Sequence, residues 1–231
     1  MPIVYACIRP QSPGESERTA LAWRAVSREL GSYEPELVVA IAAPPEPHSA
    51  IGVSGDAELA ARIVAEAKKD AIPVEAPLRI DDRLAGLLGD GIEPAAWLWV
   101  TTAKLGLRFH FEFGRALGRV IVADKRRIAA VCLATLSRTR EERAGRAFDE
   151  HYQRAIAEWD VKWLVQLESE TRRRAAEDAV AQTAVLMGAL SGYRIQPRVV
   201  SYEAPEGGGL LVAAIDVLGP RRGERMKDAS A

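Results

Sequence analysis

Short, almost wholly apolar runs alternate along this chain with longer stretches in which apolar residues return every three or four positions. The first run, Ile3-Val4-Tyr5-Ala6-Cys7-Ile8, is rich in β-branched and aromatic residues and predicts a buried strand. Arg9-Pro10 ends it, because proline has no amide hydrogen to give a ladder and holds its predecessor extended. Residues 16–30 predict a helix with Ala22, Val26 and Leu30 on one stripe, and Gly31 is placed to terminate it. Residues 37–42 predict a second strand, closed by the proline cluster Pro44, Pro45 and Pro47. After a short extended piece at 51–53, Asp56 is placed to cap a helix to Lys69 that turns Leu59, Ile63 and Ala67 inward. Residues 73–80 read as extended.

Trp97-Leu98-Trp99-Val100 predicts a third core strand, with the two tryptophans expected on opposite faces and explained by core packing. Residues 110–123 predict a helix carrying Phe113, Leu117 and Ile121, and Ile128-Ala129-Ala130-Val131-Cys132-Leu133 a fourth strand. From 141 to 190 the pattern is helical, with breaks expected near Asp160 and Glu170. Residues 194–202 and 210–217 predict a closing strand pair around Gly207-Gly208-Gly209, a turn rather than a phosphate cradle. Strands separated by helices predict a single three-layer α/β domain over 1–218, with a mainly parallel central sheet and an antiparallel closing pair. Residues 219–231 are expected to be a flexible tail.

Composition changes this picture little. The 231 residues suit one such domain or two small ones, and 48% hydrophobic with 27% charged residues is ordinary for a globular chain. Lys+Arg 31 against Asp+Glu 32 leaves a net charge of -1, so no global basic field recruits nucleic acid. Cys7 and Cys132 both lie in strand-like runs and are expected to be reduced, buried thiols. No run reaches transmembrane length, and Met1-Pro2 leads straight into a strand without a signal-peptide pattern, so a cytoplasmic location without membrane contact is expected.

Ligands of α/β folds sit at the carboxyl ends of the strands, which directs attention to Arg9, Pro10 and Gln11. This stretch, with Ile51-Gly52-Val53-Ser54-Gly55, the helix Gly114-Arg115-Ala116-Leu117-Gly118 and the segment from Gly188-Ala189-Leu190 through Ser201-Tyr202-Glu203-Ala204-Pro205, resembles the class III extradiol ring-cleavage dioxygenases, a superfamily with Memo-like relatives. The resemblance runs along nearly the whole chain, but a segment of the family pattern is missing between Gly55 and Asp56. It implies an Fe(II) site of two histidines and one glutamate, with open positions for a catecholate and O2, and a further histidine as acid and base.

Carried over position by position, that site is dismantled. The first histidine ligand becomes Gln11, and the second becomes Ala43 or Pro44, depending on register. A further family histidine becomes Asp82, and the acid–base histidine becomes Arg138, which stays protonated and cannot shuttle protons. The resemblance retains only the carboxylate ligand, as Glu177, so no intact catalytic residues, no metal and no cofactor are expected. His48, His110 and His151 are the remaining histidines and read as loop or surface positions. Asp81, Asp82 and Glu177 form a weaker alternative for a hard cation, with arginines competing for the same carboxylates.

A carboxylate left without its cation in a crevice needs a partner. Pairing of Arg138 with Glu177, helped by Arg9, is the expectation; the competing one turns Arg138 to solvent with Arg140 and Arg143. The basic clusters at 138–143 and 170–174 read as solvated helix ends. Trp159 and Trp163 read as buried under the chain's own fold, with an intersubunit face as the alternative. Two function classes follow: a catalytically silent family member with a binding or assembly role, as a homodimer, with a paralogous subunit, or with a small molecule in the residual crevice; or a divergent enzyme with relocated metal ligands or with Arg138, Glu177 and Asp82 acting without metal.

Overall fold

A computed structural model describes residues 2–11, 16–44, 46, 48–76, 94–139, 141–205 and 208–221. The chain runs β1 (Ile3–Arg9), α1 (Glu17–Ser32), β2 (Leu37–Ala42), β3 (Ile51–Gly55), α2 (Ala57–Lys69), β4 (Val74–Glu75), β5 (Ala96–Thr101), α3 (Leu107–Val122) and β6 (Ile128–Leu133). It continues through α4 (Glu142–Glu158), α5 (Val161–Gln166), α6 (Ser169–Ala175) and α7 (Val180–Ala189) to β7 (Tyr193–Glu203) and β8 (Leu210–Pro220). The strands form one sheet in the order β4-β3-β5-β2-β6-β1-β8-β7.

The central strands β5, β2, β6 and β1 are parallel, and β8 and β7 close one side antiparallel. Beyond the expected pattern, β3 also runs antiparallel to β5 and pairs in parallel with the short β4. The parallel strands read as continuous apolar runs because both faces are covered. Their two-residue period sorts Leu37, Val39 and Ile41 onto one face and Val38, Ala40 and Ala42 onto the other. On the first face lie the inward residues of α2, α3, α4 and α7; on the second, Trp23, Val26 and Leu30 of α1. Cys7 and Cys132 stand on adjacent strands but opposite faces, so both remain free buried thiols. Burial pushes the Cys7 thiol up to about 12.

α7 is buried over its whole length, which its lack of a polar stripe anticipates. Glycines make its close packing on α3 possible: a side chain at Gly114 would run into the Val185 carbonyl, and one at Gly188 into the Phe111 carbonyl. The Gly-Arg-Ala-Leu-Gly run therefore has a packing explanation that needs no chemistry.

Several expectations require correction. α1 continues through Gly31 to Ser32, and Glu34, at φ 47, makes the left-handed exit instead. α3 begins one turn before His110, at Leu107, which moves that histidine from a surface helix start to a fully buried position. Trp97 and Trp99, two apart on a strand, share a face as the period requires, and their rings stack 5.9 Å apart. The 141–190 stretch breaks at Trp159-Asp160, at Leu167-Glu168 and again at Ala176, two of these near the expected places. β8 extends to Pro220, and Arg221 N–H donates to the Gly192 carbonyl, so the ordered domain passes the expected boundary at 218. β3 passes directly into α2: Gly55, at φ 110, lies against the Trp97 carbonyl and Asp56 caps the helix through Leu59 N–H at 3.0 Å. Among the described residues, no helix is long and apolar enough to cross a membrane.

Candidate functional site

The described positions singled out by sequence lie at the ends of β1 and β2, after β6 and just before α7. Arg9, at the end of β1, is buried and lies with its guanidinium 4.5 Å from the Trp23 ring centre, on the α1 face; its Nε donates to the Pro10 carbonyl at 3.2 Å. Gln11 is half-buried, and its Oε1 is shut away from solvent without a hydrogen-bond donor among the described residues. Ala43 and Pro44 follow β2 and are half-buried. The loop they open is tied down by Thr102 N–H on the Ala42 carbonyl and by Lys104 N–H on the His48 carbonyl, leaving His48 half-buried. Asp81 and Asp82 lie outside the described residues, as do Pro45, Pro47, Gly207 and Arg140.

After β6 the chain is strapped across this edge by its own backbone. Ala134 N–H donates to the Arg9 carbonyl, Leu136 N–H to the Gly209 carbonyl, and Arg138 N–H to the Ala175 carbonyl, while Thr135 bridges Asp178. Asp149 fastens the strap from below: it is 1% exposed and accepts from Ser137 N–H at 3.0 Å, Ser137 Oγ at 2.9 Å and Tyr202 Oη at 2.8 Å. Burial raises its pKa, against the pull of those donors. Sequence reasoning missed Asp149, although a signal was present: it shares the apolar stripe Gly145, Phe148, Tyr152 and Ile156 of α4.

The expected Arg138–Glu177 pair is replaced by two pairs, each displaced. The Arg138 guanidinium bonds Asp178, one residue further along. Glu177, its side chain wholly buried, takes Arg172 Nε at 2.5 Å on one oxygen and Ala179 N–H (2.6 Å) and Val180 N–H (2.8 Å) on the other. The carboxylate thus satisfies the free amides at the start of α7 and sits at the positive end of its dipole. Ala176 enables this by taking a left-handed turn, φ 50, between α6 and α7. Arg172, five residues back on α6, is kept beside Glu177 by the Glu177 N–H on the Arg172 carbonyl.

Asp178 has the more perturbed titration. Burial pushes its carboxyl from 3.8 to about 6, opposed by the Arg138 charge and by bonding to Thr135. Gln182 Nε2 donates to its Oδ1 at 3.1 Å. His110 is a satisfied core histidine: Nε2 accepts from Ala103 N–H at 3.3 Å and Nδ1 faces the Gly106 carbonyl at 3.2 Å. Burial drives its pKa down to about 4, which keeps it neutral. His151 lies on the surface of α4, as expected, with Nδ1 2.6 Å from the Ala147 carbonyl and its ring stacked on Trp163.

These donors do not fit Fe(II). At the positions where the resemblance would put iron ligands, the described residues offer one amide oxygen, an alanine or proline, and a guanidinium, and Glu177 spends both oxygens on Arg172 and the α7 amides. Among the described residues, no three His, Cys, Asp or Glu side chains group as metal ligands would.

No family model matches the chain. No curated protein matches it either. Among solved structures, the chain is similar to the crystal structure of an uncharacterized protein from Escherichia coli K12, with a TM-score of 0.64 and 15% identity over 92% of this chain and 99% of that one. A likeness at that identity speaks for the shared α/β fold.

Proposed function

We propose that the chain is a divergent relative of the class III extradiol dioxygenases that has lost the Fe(II) site and serves in binding or assembly. The observation that carries this reading is the environment of Glu177, the one ligand position the resemblance retains. Its carboxylate is buried, paired with Arg172 and used to cap α7, so it is a structural group here. Arg138, at the acid–base position, holds Asp178 and carries a permanent positive charge. On this reading a homodimer or a paralogous subunit is the partner, or a small molecule held at the carboxyl edge near the buried Gln11 amide.

Metal analysis of protein grown with iron and manganese and purified without chelators tests the reading. Substoichiometric metal and no oxygen uptake with catechol-type substrates are expected. Stoichiometric iron or manganese, or catechol-dependent oxygen uptake, would overturn it in favour of an enzyme with relocated ligands.

A further inference from the structure

A cleft of about 770 Å³ opens between α4, α5 and α6, and none of the family-site positions lines it. Its volume falls in the range of small-molecule sites. Phe148 and Leu167 supply apolar wall, and the His151 and Trp163 rings line it as a nearly parallel pair, centres 6.5 Å apart and planes 11° from one another. Arg143 and Arg174 line it as well. The Arg174 guanidinium is shared with Glu141 at 3.2 Å, whereas Arg143 has no hydrogen-bond or ion-pair partner among the described residues.

Trp163 is half-buried and His151 exposed, so both rings remain open to a ligand in the cleft. An uncommitted guanidinium next to stacked rings matches a ligand that has a flat π-face and a negative charge. A neutral ring would leave Arg143 unused, and a bare anion would leave the aromatic wall wet.

We propose that this cleft binds a small planar aromatic anion, its ring laid on the Trp163–His151 pair and its carboxylate or phosphate held by Arg143, with Arg174 as the second donor. Both headgroups share the chemistry that a guanidinium fork recognises. The proposal stands apart from the iron question, since it uses other residues and is read without oxygen or metal.

Calorimetric titration of the full chain with adenosine monophosphate and with 2-naphthoate tests it, with adenosine, 2-naphthol and inorganic phosphate as controls. Binding of at least one of the two anions is expected, weakening as salt rises, with each control at least about tenfold weaker. The better anion identifies the headgroup. Arg143→Gln and Trp163→Leu should each weaken binding about tenfold or more. Arg143 is exposed, so its variant is expected to fold, and its far-ultraviolet spectrum checks this. Binding of neither anion, equal binding of the neutral analogues, or unchanged affinity in a folded Arg143→Gln variant would overturn the proposal.

Discussion

Two regions of this molecule use the same residue types to opposite effect. At the carboxyl edge, Glu177, Asp178 and Asp149 are carboxylates drawn into the fold, where hydrogen bonds and arginines replace lost water. On the flank where α2 meets α3, Glu66 and Asp70 share Arg119, and Asp56 and Asp124 share Arg126, with water still within reach of the ion pairs. The pKa directions record the difference. Asp178 and Asp149 are raised, with burial the largest cause. Asp56 is lowered, first by the Leu59 amide it caps, Glu66 by Lys69 and then Arg119, and Asp124 by Arg126. At Asp178 and Asp149 the cost of burial outweighs the donors, whereas on the flank the donors outweigh that cost. Glu177 and Asp149, both buried, are commitments of the surrounding fold, whereas the flank pairs, made by partly exposed arginines, are attachments to its surface.

The largest test of this contrast is Glu177→Ala. It strips two α7 amides of their acceptor and leaves Arg172 facing a buried void, so a loss of about 3 kcal/mol is expected in urea unfolding. A loss below about 1 kcal/mol would erase the distinction between the two regions.

The second concerns pH. Asp178 holds its proton more tightly in the native state than in the unfolded chain. Its contribution is therefore fully present below its ordinary pKa of 3.8 and is lost as pH climbs through about 6. Relative to the natural chain, Asp178→Asn should gain about 2 kcal/mol between those limits. Denaturant midpoints of both proteins at the two ends of the window give the difference, and a flat difference would show that the carboxyl titrates normally. The flank carboxylates work the other way, with stability present above their ordinary pKa and lost as pH falls through the depressed one.

The smallest effect belongs to the flank itself. Arg119→Gln, which releases Glu66 and Asp70, should cost about 1 kcal/mol or less and less still in high salt. A salt-insensitive loss of several kcal/mol would place that network among the buried commitments.

Sequence periodicity settled the elements of the sheet because a strand covered on both faces has no alternative to a continuous apolar run, as 37–42 and 128–133 show. It also placed the Asp56 cap and the inward stripe of α2, which depend on neighbours within one turn. The site was less legible. The resemblance led to a pairing of Glu177 with Arg138, whereas a left-handed residue at Ala176 turns the carboxylate back onto α7 and Arg172. His110 looked like a surface residue only while the start of α3 was set one turn late. Asp149 shared its stripe with Phe148 and Tyr152, yet its partners, Ser137 and Tyr202, come from 12 and 53 residues away.

By itself, then, the sequence determined which segments are strands and helices and which of their faces are apolar. The tertiary structure alone decided which arginine meets which carboxylate, which charges are buried, and that α4, α5 and α6 leave a cleft. The reason is range: backbone propensity and hydrophobic period act between neighbours, whereas the pairing and pKa of a charged group depend on whatever distant segment excludes water from it.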